Sequence, residues 1–67
     1  MQGNRLFQII YLLLERGEMT ASQLAERFEV STRTIYRDVE ALSQAGIPIY
    51  STKGRGGGLG LLPGFVL

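Results

Sequence analysis

With 67 residues, 45% of them hydrophobic and 19% charged, and a formal net charge of +1, the chain has room for one small domain and no more. It contains neither Cys nor His, which excludes a disulfide framework, the usual zinc ligands and the Cys or His nucleophiles and bases of most enzymes. A mean hydropathy of +0.10 argues against disorder, and so short a chain leaves little room for a substrate cleft, so an enzyme is the poorest functional reading.

Charge is distributed unevenly. Residues 1–30 set Arg5, Arg16 and Arg27 against Glu15, Glu18, Glu26 and Glu29, and are acidic by one charge. Residues 31–67 set Arg33, Arg37, Lys53 and Arg55 against Asp38 and Glu40, and are basic by two. The placement of the basic residues matters more than their number.

The first predicted helix runs from about Asn4 to Arg16. Leu6, Ile9, Ile10, Leu13 and Leu14 recur at the i, i+3, i+4, i+7 spacing of an amphipathic helix. Asn4 suits the N-cap and Gly17 the position just past the C-terminus. Phe7, Tyr11 and Leu12 widen the apolar face, so this helix is expected to be covered on more than one side, with Tyr11 in the core. The apolar run Leu6 to Leu14 is interrupted by Gln8 and followed by Glu15-Arg16-Gly17-Glu18 with no small-residue cleavage site. It reads neither as a secretory signal nor as a membrane span, which needs about 20 residues. The expectation is a cytoplasmic protein with no membrane segment.

The second helix is predicted over Ala21 to Phe28. Thr20-Ala21-Ser22-Gln23 fits a capping box, and Leu24, Ala25 and Phe28 form its apolar stripe. The third is predicted over Thr32 to Ala45, capped by Ser31 and stopped by Gly46, with Pro48 beyond. Only Glu29 and Val30 separate the second helix from the Ser31 cap, the spacing of a helix-turn-helix. Ile49-Tyr50-Ser51-Thr52 suits a short strand and Leu59-Gly60-Leu61-Leu62 its partner. Between them Lys53-Gly54-Arg55-Gly56-Gly57-Gly58 forms a basic, glycine-rich tip. That tip lacks the spacing and the following helix of a nucleotide-binding loop.

On a helical wheel the third helix turns Ile35, Val39 and Leu42 inward. Arg33, Arg37, Glu40 and Gln44 fall on the opposite side, with Tyr36 beside them. Arg33 and Arg37 are like charges four residues apart, a mildly unfavourable pair that an anionic partner would relieve. Guanidinium forks match guanine edges and phosphates. A charged helix face is often merely solvated, but these arginines lie in the first two turns of the second helix of a tight pair, where a recognition helix meets the major groove. Ser31, Thr32 and Thr34 sit at the helix start, where hydroxyls cap the backbone and also contact phosphate. Lys53 and Arg55 at the hairpin tip would reach the backbone or minor groove. Asp38 flanks the core face and is assigned to an ion pair with a neighbouring helix. Glu15/Glu18 and Glu26/Glu29 read as solvated carboxylates, and no metal or cofactor is expected.

The run from Met19 to Asp38 resembles the T-A-x-x-L-A-x-x-F-x-V-S-x-R-T-I-Y-R-D pattern of DeoR-like winged helix-turn-helix regulators. Leu42, Ala45-Gly46-Ile47-Pro48-Ile49 and Gly54-Arg55-Gly56-Gly57-Gly58 resemble the signature of the bacterial branch that carries a C-terminal WYL sensing domain. The resemblance covers nearly the whole chain. It implies a mainly α fold with a small β-hairpin: helix, short strand, two helices, then a two-stranded wing. It also implies promoter DNA as partner, with Thr32, Arg33, Thr34, Tyr36 and Arg37 on the recognition helix and Lys53 and Arg55 on the wing. Two positions depart from the pattern: Leu59 stands where an aromatic is common, and Gly60 and Leu61 where the strand is often basic or polar.

Phe65-Val66-Leu67 suggests either a longer protein continuing past this point or a tail docked on the core. On the first view the effector site and the surface for a homodimer lie in a C-terminal region outside these residues. The competing reading is a winged helix that docks protein and not nucleic acid, which the low net charge favours. An enzyme's regulatory domain is the third, and no catalytic constellation supports it.

Overall fold

The computed structural model describes the backbone of residues 2–52 and 58–64, with side chains from Arg5 onward. In chain order the elements are α1 (Gln2–Arg16), β1 (Glu18–Thr20), α2 (Ala21–Phe28), α3 (Thr32–Gln44), β2 (Ile49–Ser51) and β3 (Gly58–Leu61). This is a winged helix-turn-helix: three helices and a small antiparallel sheet of order β1-β3-β2.

The chain's own end signals set the helices. α1 stops where Gly17 takes a φ of +90° and donates its N–H to the Leu13 carbonyl at 2.8 Å, a left-handed turn that glycine adopts without strain. The capping box of α2 is formed in full. Thr20 Oγ1 accepts from the Gln23 N–H at 3.0 Å, and Gln23 Oε1 accepts from the Thr20 N–H at 2.9 Å. Ser31 caps α3 by accepting from the Thr34 N–H at 3.2 Å. Between these helices Glu29 takes a left-handed conformation, φ 57° and ψ 45°, and the Val30 N–H reaches the Ala25 carbonyl at 2.9 Å. That one residue turns the chain between the two helices. A non-glycine residue there is uncommon.

Three expectations are corrected. α1 begins at Gln2, so Asn4 lies inside its first turn and is not the N-cap. α3 ends at Gln44, with Ala45 as its cap. The wing is not a lone hairpin, because β1 pairs along β3 and makes three strands. This short strand is the one the family resemblance implies.

The core draws one fully buried residue or more from each layer: Ile9 and Leu13 from α1, Leu24 from α2, Ile35 from α3 and Leu59 from β3. Each such side chain contributes about 1.5–3 kcal/mol on burial, which is how so small a domain holds a fixed shape. Leu59, the departure from the family's aromatic, is a core residue paired with Met19 on β1 and Ser51 on β2.

α1 buries only part of its apolar surface. Ile9, Ile10, Leu12 and Leu13 face the core, whereas Phe7 and Tyr11 are 58% and 60% exposed and Leu14 is also exposed. The assignment of Tyr11 to the core is overturned: nothing else among the described residues lies over that side of the helix.

Candidate nucleic-acid interface

α3 rises about 1.5 Å per residue, so Arg33 to Gln44 spans roughly 16 Å, three turns of one continuous face. Arg33, Arg37 and Gln44 are exposed along it with Tyr36, half in solvent, beside them, and Thr32 is exposed in the first turn. Among the described residues neither arginine has a carboxylate within ion-pairing distance, so both guanidiniums are open to an outside partner. Ser31 is exposed and Thr34 half-buried; their hydroxyls are hydrogen-bonded to each other at 3.1 Å, and Ser31 Oγ also accepts from the Thr34 N–H. Ser31 thereby caps the first turn. That turn carries no acidic residue, so the positive end of the helix dipole is left uncompensated, a setting favourable to anions.

Asp38 holds this helix to α1. It is buried and receives both arms of the Arg5 guanidinium, Nε at 2.5 Å and Nη2 at 3.2 Å. The hydrogen bond to Asp38 raises the pKa of Arg5 above its already high ordinary value, against the opposing effect of burial. A bidentate fork fixes direction as well as distance. The ion pair ties α3 to α1 from a side of the helix away from its exposed arginines, the contact with a neighbouring helix expected for Asp38.

On the wing, Glu18, Gly60 and Tyr50 form one cross-strand row. The Tyr50 ring crosses Gly60 and donates its hydroxyl to Glu18 Oε2 at 2.9 Å. A Cβ at Gly60 would stand 2.5 Å from that hydroxyl, and one at Gly58 would stand 2.5 Å from Glu18 Oε1. The glycine in place of the family's basic or polar residue is therefore a track for Tyr50. Glu18, read in the sequence as a solvated carboxylate, is its acceptor. The hydrogen bond to Glu18 is the main cause that raises the Tyr50 pKa above its ordinary value of 10.0. Lys53 and Arg55 lie outside the described residues. Among those residues no three acidic, His or Cys side chains converge as metal ligands, and no helix is long and apolar enough to cross a membrane.

The chain resembles known proteins along most of its length. It is 48% identical over 62 residues to the uncharacterized HTH-type transcriptional regulator YobV of Bacillus subtilis (strain 168), covering 92% of this chain and 20% of that protein. It is 42% identical over 40 residues to the HTH-type transcriptional repressor CsqR of Escherichia coli (strain K12), covering 60% of this chain and 15% of that one. The chain thus spans no more than about a fifth of these curated relatives. No solved structure matches it. The family described as HTH domain matches residues 5–58, from the arginine that anchors α3 to the first residue of β3. The tight α2–α3 pair, the Ser31 cap and this match point the same way: the chain belongs to the HTH domain family.

Proposed function

We propose that this chain is the sequence-specific DNA-reading domain of a bacterial transcriptional regulator of the DeoR-like, WYL-associated type. α3 enters the major groove. Arg33, Tyr36, Arg37 and Gln44 approach base edges, while Ser31, Thr32, Thr34 and the helix start fix register on phosphates. Lys53 and Arg55 extend the contact from the wing to the backbone or minor groove. The observation that carries this reading is the outward face of α3: two arginines with no carboxylate partner among the described residues, on a helix held by the Arg5–Asp38 fork. The names of the two relatives, a transcriptional regulator and a transcriptional repressor, support it. The whole protein would act as a homodimer through a region C-terminal to these residues, reading half-sites about 34 Å or a multiple apart. Any small-molecule effector would bind that region too. The domain itself carries no catalytic role in this scheme.

The test is fluorescence anisotropy of the domain on its own upstream intergenic DNA and on a scrambled duplex, at two salt concentrations. Arg37→Ala is expected to weaken binding to the cognate site by about 1–3 kcal/mol, with a smaller loss on random DNA. Equal losses on both duplexes would assign Arg37 to phosphate. Binding that salt erases equally on both would remove the claim of specificity. No binding at low salt would favour a winged helix that docks protein.

A further inference from the structure

α3 carries two acidic side chains, and they are placed differently. Asp38 is buried in the fork with Arg5, whereas Glu40 is exposed. At 3.6 residues per turn Glu40 falls within about 60° of Arg33, Arg37 and Gln44 around the helix axis. Along the axis it lies about 4.5 Å past Arg37 and about 6 Å short of Gln44. Arg37 is only one turn away, yet among the described residues the single ion pair is Arg5–Asp38. The Glu40 carboxylate thus stands on the arginine face with no cation bound to it.

A carboxylate in that place weakens binding to DNA at large. Affinity for duplexes of any sequence comes from cations set against phosphates, and a negative charge subtracts from it. The floor of the major groove is different, because some base edges there present N–H donors. A carboxylate accepts hydrogen bonds and donates none. Adenine offers its N6 amino group beside the N7 lone pair, which repels a carboxylate. Cytosine offers its N4 amino group with no acceptor beside it on the same base edge. We propose that Glu40 is a specificity-determining residue that accepts a hydrogen bond from the N4 amino group of a cytosine. This rests on the DNA-reading role of α3 proposed above. Glu40 lies between Arg37 and Gln44, so a helix that brings both of those to base edges brings Glu40 with them. Arg37, one turn earlier, matches a guanine edge, and the two would read a guanine and a cytosine within one half-site. Where no cytosine meets it, the Glu40 charge is left against acceptors and phosphates, so that a wrong site is penalised as well as a right one favoured.

Selection of binding sites from a pool of randomised duplexes tests this on the 67-residue chain, beside Glu40→Gln and Glu40→Ala. Glu40 is exposed, so both variants are expected to fold as the parent does. The parent should prefer cytosine at one position by about five-fold or more over the other bases. A glutamine amide matches the N6 and N7 of adenine, so Glu40→Gln should move that position from cytosine to adenine and leave the others unchanged. Glu40→Ala should lose the preference at that position alone. Both variants should bind a scrambled duplex more tightly than the parent, since a negative charge is gone. A parent that selects a site which neither variant alters at any position would overturn the role of Glu40 and leave DNA reading by α3 intact. Equal tightening on every duplex would do the same and assign Glu40 to net charge. A parent preference for adenine at the position that depends on Glu40 would overturn the assignment to cytosine. A parent that selects no sequence would overturn the reading of α3 and this role with it.

Discussion

α1 and α3 are built alike on the inside and differently on the outside. Each buries an apolar stripe at helical spacing, with Ile9 and Leu13 on one and Ile35 and Leu42 on the other. Outward, α1 shows Phe7, Tyr11 and Leu14, whereas α3 shows Arg33, Tyr36, Arg37 and Gln44. The inward stripe tells only that a helix belongs to a core. The outward residues tell what else it meets: a carbon surface costs free energy in water and calls for a packed partner. A surface of guanidinium and amide is stable in water and calls for an anion or a hydrogen-bonding edge. The same molecule thus carries two kinds of outward surface, one of carbon on α1 and one of guanidinium, phenol and amide on α3.

The largest effect that would sharpen this contrast lies on the inner face. Ile35→Ala removes a fully buried side chain and is expected to cost about 2–5 kcal/mol. A single core in a chain of this size rarely supplies more than about 3–5 kcal/mol in all. Chemical denaturation should therefore find Ile35→Ala unfolded or nearly so. A variant that keeps its cooperative transition with little loss would mean the core tolerates collapse, and would weaken the claim that α3 is rigidly presented.

Next in size is the seam between the two helices. Asp38→Ala leaves the Arg5 guanidinium without its fork, and is expected to cost about 1–3 kcal/mol. Arg5 retains some solvent exposure, 19% of its side chain, and can partly recover hydration, which keeps the loss below that of a fully buried pair. A double-mutant cycle of Asp38→Ala with Arg5→Gln isolates the pair. A coupling energy near zero would place it among surface ion pairs of little consequence, and α3 would then be held by packing alone.

Both ends of α2, the start of α3 and the polar outer face of α3 were legible because each depends on local spacing. A hydroxyl capping three residues ahead, and a wheel that separates Ile35 from Arg33, need no knowledge of distant chain. The Arg5–Asp38 pair was half legible: Asp38's place beside the core face pointed to a helix partner, but not to Arg5, thirty-three residues away. β1 was illegible from its residues because three positions carry no period, and only the family resemblance implied it. Tyr11 was misplaced because a wheel shows how wide an apolar face is and not whether anything covers it. Glu29 gave no signal, since left-handed turns are ordinarily marked by Gly or Asn. Gly60 looked like a loss at the wing, and its reason is a tyrosine ten residues earlier that lies across it.

The three tyrosines carry the comparison to its smallest measurable effect. Tyr11 and Tyr36 stand exposed on α1 and α3, while Tyr50 is half-buried on the wing and bonded to Glu18. The bond needs the phenol proton, so the folded state favours neutral Tyr50 and its pKa lies above the ordinary 10.0. A group whose pKa is raised on folding adds stability that is fully present below its unfolded value and fades as pH rises through the folded one. The contribution should thus be whole at pH 7 and decline above pH 10. In a Tyr11→Phe/Tyr36→Phe background, the phenolate absorbance reports Tyr50 alone and should rise later than in the unfolded chain. Tyr50→Phe should melt slightly below its parent at neutral pH, and the gap should close as the parent's phenol ionises. A gap that stays constant to high pH would assign the difference to packing over Gly60, and the wing would then be held by shape without the cross-strand hydrogen bond.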